Sequence, residues 1–459
     1  MTSRYRVEYA LKSHRRDEFI EWIKGLLACP FVLHADVEHF DSQFPQLYNE
    51  NPDDSDIYFK NHENVVAQDC QKRYLEIFKD VENLIEHTIL IDEINDKDVF
   101  QNSTSRLRKL VPSLGRFFTP LPLSEAFLIE DERRAISKRR MVSPSFNDVR
   151  MILNTAQILA LTKIYKDRTK TNLKLITFDG DVTLYEDGKS LEKQSEVVKR
   201  LIQLLKMGLF VGVVTAAGYP KQSGAEKYYE RLKGLIDYLN STHCELTKSQ
   251  KENLLVMGAE SNYLFRYNSE MKGLKYLENS EWLLPQVKTW DIRKIEFIMS
   301  SIYKHLIHLR NKFNLEDSTS IIKKERSVGI IPNPGCQILR ETLEEMVLSC
   351  SNKLSLILKV DSKNLDSVKV CAFNGGSDVW VDIGDKALGV ESLQKFLCQN
   401  ESEELEYCPI KKSESLHIGD QFASLGANDF KARLSACTVW IANPIETVAI
   451  LDDLINFMT

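Results

Sequence analysis

The sequence predicts an α/β fold with a doubly wound parallel sheet. An apolar run at 173–178 is short enough for a buried strand, an amphipathic helical pattern follows at 191–207, and a second apolar run occupies 208–214. This strand–helix–strand order predicts parallel strands joined by a right-handed crossover. A helical pattern at 225–239 and a third strand-like run at 253–258 continue the alternation, which indicates a doubly wound domain.

Length and composition are those of an ordinary soluble enzyme with more than one domain. The chain has 459 residues, which exceeds what one hydrophobic core usually serves, so we expect two or three domains. Apolar residues make up 43% and charged residues 27%, and the net charge of -6 argues against a general nucleic-acid or membrane surface. The nine scattered cysteines form no CxxC pair, and no apolar run approaches the roughly 18 residues that cross a bilayer. We therefore expect a cytoplasmic protein.

Residues 1–145 are predicted to form a helical region. Apolar residues spaced at i, i+3, i+4 and i+7 in 17–27 indicate an amphipathic helix, and a helical pattern returns at 65–94. We place a domain boundary near 145, because a further helical pattern at about 146–165 leads from there into the first predicted strand. The region before this boundary has no recognisable catalytic residue, and we expect it to serve regulation or oligomerisation.

A basic run precedes the helical pattern at 146. Lys138, Arg139 and Arg140 concentrate positive charge, and Ser143-Pro144 has the sequence of a helix cap and a first-turn proline. Such a run is more often a solvated face than a ligand site. The alternative is an anion-binding site, because helix N-termini attract anions.

The alternation of strands and helices breaks between about 262 and 370. This stretch contains a long helical pattern at 292–313 and strand-like runs, which predict an inserted α+β domain. We expect the catalytic core to occupy 146–261 and 371–459. Its last strands are then expected at 379–383, 416–420 and 437–442.

Two aspartates follow the first predicted strand and are separated by one glycine. Asp179 and Asp181 can face one crevice from a tight turn, and Gly180 lets the backbone approach a ligand closely. Open α/β sheets bind ligands at the carboxyl ends of their strands, where this turn lies. The pair suits a divalent metal and attack on phosphorus, although acidic turns after strands are common and are often merely solvated.

Three more polar residues lie at or just beyond predicted strand ends, namely Thr215, Lys386 and Asp420. Together with the aspartate pair, they would supply a nucleophile, an acid or base, groups that neutralise phosphate oxygens, and carboxylates for a metal. Thr215 could instead cap the next turn, and Lys386 could be a solvated lysine. The combination predicts phosphoryl-transfer chemistry.

These residues resemble the motifs of the haloacid dehalogenase-like phosphatases. The four motifs of that family occur here in order as Asp179-Gly180-Asp181-Val182-Thr183, Val213-Val214-Thr215, Asp385-Lys386 and Gly419-Asp420. The resemblance implies a haloacid dehalogenase-like core with a cap inserted after its third strand. Asn428-Asp429 follows the last motif, but eight residues separate Asp420 from Asp429. This spacing puts Asp429 in doubt as a metal ligand, and it could orient the loop instead.

Further segments resemble the IMP-specific 5'-nucleotidases of fungi and protozoa, and this resemblance spans nearly the whole chain. It rests on Ser3–Tyr9, Leu11–Arg15, Pro144–Arg150 and Phe178–Gly188. It implies a Mg²⁺-dependent enzyme that hydrolyses inosine 5'-monophosphate (IMP) to inosine and phosphate through an aspartyl-phosphate. It also implies a homo-oligomer, a tetramer, that ATP activates. The candidate effector residues are Lys138, Arg139 and Arg140.

The resemblance also implies roles for the site residues. Asp179 would be the nucleophile, and Asp181 would be the general acid and base. Mg²⁺ would be held by Asp179, Asp420 and the backbone carbonyl of Asp181. The substrate-binding residues would be Asp181, Asp187, Thr215, Asp378, Asp382 and Lys386. Strand alternation places 378, 380 and 382 on one side, so these acids could equally face outward from an edge strand.

Two other functions remain open at the level of the sequence. The four motifs specify phosphoryl chemistry but not the leaving group, so the chain could act on sugar phosphates or on many nucleotides. Only residues of the inserted cap would separate these possibilities. A catalytically silent nucleotide-sensing scaffold is the alternative of another class, and the intact nucleophile, acid and metal positions argue against it.

Overall fold

The computed structural model describes residues 17–34, 52–97, 103–139, 141–162, 173–360, 368–398, 409–423 and 426–458. The chain divides into two compact units, and the main boundary between them in the sequence lies between 171 and 172. No helix within the described ranges is long and apolar enough to cross a membrane.

The first unit is helical. Its helices are α1 (Glu18–His34), α2 (Pro52–Lys97), α3 (Arg106–Leu110), α4 (Leu123–Arg134) and α5 (Phe146–Thr162). Helices α1 and α2 confirm the patterns predicted at 17–27 and 65–94, and α2 extends beyond the second pattern at both ends. The core of the unit is partly aromatic, because the rings of Phe78 and Phe127 stack with their centroids 5.2 Å apart.

Helix α5 lies in the first unit, whereas the sequence analysis assigned it to the catalytic core. Most of its side chains are buried, and it packs against α1 and α4. Thr155 donates to Glu130 on α4 at 2.9 Å, and Gln157 donates to Thr119 at 3.0 Å. These buried polar contacts hold α5 in the helical unit. The periodicity of the sequence predicts the helix, but it does not identify the elements that cover it.

The second unit contains eleven strands within the described residues. They are β1 (Leu175–Phe178), β2 (Phe210–Val214), β3 (Leu254–Gly258), β4 (Tyr263–Asn268), β5 (Gly273–Leu277), β6 (Thr319–Lys323), β7 (Ser327–Pro332), β8 (Val370–Asn374), β9 (Val379–Ile383), β10 (Ser415–Gly419) and β11 (Cys437–Trp440). The helices after the first unit are α6 (Glu196–Lys206), α7 (Lys221–Arg231), α8 (Lys233–Leu239), α9 (Lys248–Lys251), α10 (Asn279–Trp282), α11 (Pro285–Lys288), α12 (Ile292–Lys312), α13 (Arg340–Val360), α14 (Lys386–Cys398) and α15 (Pro444–Met458). Short 3-10 helices occupy Lys412–Glu414 and Asp429–Leu434.

Seven strands form the main sheet, in the order β11-β10-β1-β2-β3-β4-β5. The strands from β11 to β3 are parallel, and β4 and β5 add an antiparallel hairpin at one edge. Helices α6 and α14 both pack on the central strand β2. The predicted α/β fold with a parallel sheet is therefore confirmed, and β1 lies near the middle of the sheet, between β10 and β2.

The other four strands form an antiparallel sheet in the order β6-β7-β9-β8. Helices α12 and α13 contact this sheet. Their buried apolar side chains form one cluster with it, which includes Ile302, Met346 and Val381. An α+β module is thus present in the stretch where the alternation of the sequence breaks.

Strand β9 corrects one prediction, because a parallel core strand is expected at 379–383 from the sequence. In the structure, β9 pairs antiparallel with β7 and β8, and the place beside β1 is taken by β10. Strands β4 and β5 differ in the opposite sense, because they belong to the main sheet although the predicted insertion begins at 262. Strand-like patterns do not identify the neighbours of a strand. The domain limits themselves stay predictions.

Candidate active site

Asp179 lies directly after β1 and is buried. Its backbone N–H donates to the carbonyl of Ile418 at 2.9 Å, which joins the end of β1 to β10. Its carboxylate oxygen Oδ1 accepts from the N–H of Gly180 at 2.8 Å and contacts Nζ of Lys386 at 2.9 Å. Burial raises the pKa of Asp179, while the ammonium of Lys386 opposes that rise. The position predicted for a nucleophile therefore has a fixed positive charge beside it.

Lys386 is the first residue of α14, and its side chain is fully buried. The ammonium contacts Asp179 at 2.9 Å and Oδ1 of Asp429 at 2.5 Å. Burial lowers the pKa of Lys386, but the carboxylates of Asp179 and Asp429 outweigh burial and raise it above its ordinary value. The lysine is thus charged at neutral pH, and its interpretation as a solvated lysine is wrong.

Asp429 accepts hydrogen bonds from several directions. Besides Lys386, its carboxylate accepts from the N–H of Gln421 at 2.9 Å and contacts Nε2 of His417 at 3.1 Å. Burial opposes ionisation, but Lys386 and His417 lower the pKa of Asp429 to about 2. A Cβ atom at Gly419 would lie 2.3 Å from Oδ2 of Asp429, so a side chain there would displace this carboxylate. Asp429 therefore braces the lysine and the loop after β10.

His417 is absent from the sequence analysis. It is fully buried on β10, and its Nδ1 lies 2.9 Å from the hydroxyl of Thr177 on β1. Burial lowers the pKa of His417, and a neutral ring that donates from Nε2 to Asp429 fits both contacts. A lone histidine inside a strand pattern has no motif, and only its position two residues before the end of β10 points towards the site.

Three carboxylates could hold a metal ion. Oxygen atoms of Asp179, Asp420 and Asp429 all lie within 4.8 Å of one another. Oδ1 of Asp420 is buried and has no hydrogen-bond partner in the described part of the chain, and burial raises the pKa of Asp420 well above its ordinary value. A divalent cation would supply the missing partner and keep Asp420 ionised. Because Asp429 already accepts from three nitrogen atoms, Asp179 and Asp420 fit a cation better.

Asp181 is half-buried and lies outside this acidic group. Its Oδ1 accepts from the N–H of Gly188 at 3.2 Å and lies 3.9 Å from a guanidinium nitrogen of Arg231. Burial raises the pKa of Asp181, and Arg231 opposes that rise. A raised pKa suits a residue that must donate a proton near neutral pH. Arg231 was not predicted, because it lies 50 residues from Asp181 in the sequence and no local pattern indicates their contact.

Thr215 follows β2 and is buried. Its hydroxyl oxygen accepts from the N–H of Ala217 at 3.2 Å, so the capping role considered above is present. The hydroxyl proton remains able to donate to another oxygen. A Cβ atom at Gly180 would lie 3.6 Å from this hydroxyl oxygen and 2.6 Å from that of Tyr185. The glycine therefore allows the turn after β1 to pack closely against the hydroxyl of Tyr185.

The residues predicted to contact the nucleoside fall into two groups. Asp187 is exposed and lies next to the turn between β8 and β9, because a Cβ atom at Gly376 would be 3.6 Å from its Oδ2. In that turn, burial raises the pKa of Asp378, and the charge on Asp187 adds to the rise. Asp382 is buried and accepts from Ser327 Oγ at 2.5 Å, and burial raises its pKa to about 7. Asp187 and Asp378 are thus neighbours, whereas Asp382 lies within the sheet.

The alternative interpretation of these acids as outward residues of an edge strand is wrong for Asp382. Strand β9 is an interior strand of its sheet, and Asp382 is 2% exposed. A buried carboxyl group with one hydroxyl donor is unusual for a structural position, since its charged form is poorly solvated. Such a group is a candidate for ligand contact.

The candidate effector residues lie in the first unit. The guanidinium of Arg139 donates to Asp148 on α5 at 2.9 Å, and Arg134 donates to the same carboxylate at 3.1 Å. Lys138 is exposed, and Arg140 lies outside the described residues. Arg139 therefore already has an anionic partner.

The fold and the site together define the class of protein. Asp179 follows β1, near the middle of the main sheet, and contacts the buried Lys386. Asp420 follows the neighbouring strand β10, and its carboxylate lies close to that of Asp179. These are the parts of a haloacid dehalogenase-like phosphatase. The family model of the IMP-specific 5'-nucleotidases matches residues 1–451. The chain belongs to this family, whose members are phosphoric monoester hydrolases.

Relatives of known name cover the whole chain. It is 70% identical over 481 residues to IMP-specific 5'-nucleotidase 1 of Candida albicans, and 100% of each chain is covered. It is 46% identical over 482 residues to the protein of the same name in Saccharomyces cerevisiae, with 99% of this chain and 100% of the relative covered.

Solved structures of a protozoan relative match the fold. An IMP-bound mutant of Plasmodium falciparum IMP-nucleotidase has a TM-score of 0.73 and 31% identity, and the match covers 96% of this chain and 94% of that one. An ATP-bound structure of the same nucleotidase has a TM-score of 0.64 and 34% identity, with 86% and 89% covered.

Proposed function

We propose that this chain hydrolyses IMP to inosine and phosphate through an aspartyl-phosphate intermediate. The observation that carries the proposal is the 2.9 Å contact between Asp179 and the buried ammonium of Lys386 at the end of β1. A carboxylate held beside a fixed positive charge suits attack on an anionic phosphate. The names of the relatives and the IMP bound to the Plasmodium nucleotidase support IMP as the substrate.

The reaction would proceed in two steps. In the first step, a carboxylate oxygen of Asp179 attacks phosphorus, and the bond between phosphorus and the ribose O5' breaks. Asp181 donates a proton to the departing oxygen, and the raised pKa of Asp181 favours the protonated form that this step needs. In the second step, the ionised Asp181 takes a proton from water, whose oxygen attacks phosphorus. The bond between phosphorus and the carboxylate oxygen of Asp179 breaks, and phosphate is released. Asp179 is then regenerated.

Positive charge and hydrogen-bond donors at the site would stabilise the phosphate oxygens. The ammonium of Lys386 has three N–H groups and contacts two carboxylates, and the hydroxyl of Thr215 can donate from the end of β2. Mg²⁺ would be held by Asp179, Asp420 and the backbone carbonyl of Asp181, and it would reduce the repulsion between an anionic nucleophile and an anionic phosphate. The buried, unpartnered oxygen of Asp420 supports this ligand set.

Asp187, Asp378 and Asp382 would recognise the nucleoside. The N1–H of hypoxanthine is a donor that an ionised carboxylate can accept, whereas N1 of adenine carries no hydrogen. A site built for hypoxanthine would leave its own groups unpaired against adenine, which costs a large factor in catalytic efficiency. GMP has the same N1–H and adds a 2-amino group, so its exclusion would be steric or due to a group that cannot accept that amine.

Regulation by ATP and assembly into a tetramer are further parts of the proposal. The ATP-bound structure of the Plasmodium nucleotidase supports ATP as a ligand. In this chain, ATP would bind Lys138, Arg139 and Arg140, and a phosphate group would then compete with Asp148 for Arg139. We also propose a cytoplasmic location.

A phosphate-release screen tests the proposed function. Purified protein with Mg²⁺ is assayed with IMP, GMP, AMP and several sugar phosphates. We expect the catalytic efficiency for IMP to exceed that for AMP by about 100-fold or more. Similar values for the three nucleotides would indicate a general nucleotidase, and preference for a sugar phosphate would indicate the other phosphatase activity. No release from any substrate, with IMP binding retained, would indicate a nucleotide-sensing scaffold.

A further inference from the structure

Glu260 is a buried acid that neither the sequence motifs nor the mechanism above uses. It follows β3 and is 0% exposed. It and the preceding Ala259 both have left-handed backbone conformations, with φ of 63° and 48°. A non-glycine residue in this region costs of order 1 kcal/mol or more, and such residues concentrate at functional sites. Two in succession require strong support from the surroundings.

The backbone of Glu260 is held between two parts of the active site. Its N–H donates to the carbonyl of Thr215 at 3.0 Å. Its own carbonyl oxygen would lie 2.2 Å from a Cβ atom at Gly389, so this carbonyl packs closely on the first turn of the helix that begins with Lys386. The loop therefore contacts both the end of β2 and the helix of the buried lysine.

The side chain of Glu260 contacts a third part of the site. Its Oε1 accepts from Nδ2 of Asn428 at 3.3 Å, and Asn428 directly precedes Asp429, which binds Lys386. The other carboxyl oxygen of Glu260 and Oδ1 of Asn428 are buried and have no hydrogen-bond partner in the part of the chain that the structure describes. Glu260 thus bonds to the segment that carries Asp429.

Burial favours the neutral form of Glu260. It raises the pKa well above the ordinary value, the ammonium of Lys386 opposes that rise, and the carboxylates of Asp382, Asp179 and Asp429 add to it. A neutral carboxyl group still accepts from Asn428, and glutamine would present the same acceptor without charge. Glutamine therefore serves as the matched variant for glutamate at this position.

We propose that Glu260 is a positioning residue for phosphoryl transfer, which holds Asn428 and Asp429 so that the ammonium of Lys386 stays against Asp179. Glu260 acts through Asn428 and touches neither the reacting atoms nor the nucleoside. Its loss shifts the lysine relative to the nucleophile, and small displacements of catalytic groups lower the rate by up to about 100-fold. The binding of IMP through residues of the second sheet is left nearly unchanged.

The test compares Glu260→Ala with Glu260→Gln and rests on the proposed hydrolysis of IMP. We expect Glu260→Ala to lower kcat by about 10- to 100-fold with a change in KM for IMP below about threefold. Glu260→Gln should restore kcat to within about threefold of wild type, since it retains the acceptor for Asn428. Gln394→Ala is the control, because Gln394 is buried in the same unit and makes two hydrogen bonds away from the site. It should lower the melting temperature without a comparable loss of kcat.

Asn428→Ala keeps the test decisive if Glu260→Ala does not fold. We expect the same loss of kcat from Asn428→Ala, and little further loss when it is combined with Glu260→Gln. The proposal is overturned if a folded Glu260→Ala or Asn428→Ala protein keeps kcat within about twofold of wild type, or if Glu260→Gln is as slow as Glu260→Ala.

A second substrate separates this inference from the proposed function. p-Nitrophenyl phosphate requires no recognition of a base, and the same ratios of kcat apply to it. If wild type hydrolyses it but not IMP, the proposed specificity fails while the role of Glu260 is still measured. If wild type hydrolyses both and all variants match it, the inference alone fails.

Discussion

Two buried aspartates, one in each unit, have similarly low pKa values but different partners. Asp148 on α5 accepts from Arg134, Arg139 and the backbone and hydroxyl of Ser145. Asp429 accepts from Lys386, His417 and the backbone of Gln421. In both cases burial raises the pKa, but the hydrogen bonds and charges of the partners lower it to about 2.

The two clusters differ in how positive and negative charges are matched. The guanidinium groups of Arg134 and Arg139 both form ion pairs with the carboxylate of Asp148. In the second unit, the single ammonium of Lys386 forms ion pairs with both Asp179 and Asp429, and Asp420 lies beside them. In the first arrangement the guanidinium groups are partly exposed and the buried carboxylate of Asp148 is well paired, which contributes stability, whereas the second has more buried carboxylates than cations. A buried excess of negative charge is unfavourable unless a positive ligand compensates it, so it indicates a cation-binding site.

The largest expected effect concerns Asp179, the proposed nucleophile. Asp179→Asn keeps the shape of the side chain but cannot form the aspartyl-phosphate, so we expect turnover of IMP to fall by at least about 10⁴-fold. Phosphate release gives the rate, and thermal denaturation checks that the fold remains. Wild-type turnover in a folded variant would exclude Asp179 as the nucleophile.

The second prediction concerns proton transfer. Asp181→Asn removes the proposed acid and base, and the rate should fall by about 10²- to 10⁴-fold. Because the pKa of Asp181 is raised, the wild-type rate should decline as pH rises through that pKa and the acid becomes ionised. The variant should lack this decline, and a pH profile of kcat from pH 5 to 9 measures both. An unchanged profile would remove Asp181 from this role.

The third prediction weakens the support of the lysine. Asp429→Asn retains a side chain of the same size but loses the charge that holds Lys386, so we expect kcat to fall by about 10- to 100-fold. The assay is the same phosphate release, with KM determined alongside. A variant that remains folded with unchanged kcat would show that Asp429 is not required to position Lys386.

Substitution at Asp148 should change stability rather than rate. Asp148→Asn should cost about 2 kcal/mol of unfolding free energy at pH 7, since the pKa of Asp148 is lowered from 3.8 to about 2. A lowered pKa stabilises the fold above the unfolded value, so the difference from wild type should shrink below about pH 4 and nearly vanish near pH 2. Urea unfolding at several pH values tests this expectation. Basal turnover of IMP without ATP should be unchanged, and a large loss of rate would break the comparison.

The smallest expected effect concerns ATP binding near Asp148. If ATP binds the basic run, it should lower the apparent KM for IMP several-fold, and replacing Lys138, Arg139 and Arg140 with Ala should remove that response but not the basal rate. Initial rates are measured at zero and millimolar ATP with constant free Mg²⁺. A triple variant that still responds would place the effector site elsewhere, and a wild type without a response would end the regulatory proposal.

The sequence predicts those parts of the site that depend on strand ends. Asp179, Thr215 and Asp420 follow buried runs, and parallel strands bring such positions to one edge of the sheet. Lys386 is close to Asp179 as expected, although the preceding strand β9 belongs to the other sheet. The motif order therefore located this residue when the strand assignment was wrong.

The remaining residues of the site could not be predicted, because their contacts join distant parts of the chain. His417 reaches Asp429 from inside a strand, and Glu260 reaches Asn428 across 168 residues. A single buried histidine or glutamate has no periodicity or motif. Only the packing of β10 and of the loop after β3 brings these side chains to the lysine.

The short connection between β9 and α14 has a consequence for the size of the substrate. Only Ile383, Gly384 and Asp385 separate Asp382 from Lys386, and four residue steps span at most about 14 Å. If one end of this connection meets the base and the other meets the phosphate, the chain itself acts as a gauge of length. A second phosphate group would then have to lie outside the span between these two ends. Discrimination between IMP and the corresponding diphosphate would depend on the space beyond the reacting phosphate, without any residue devoted to it.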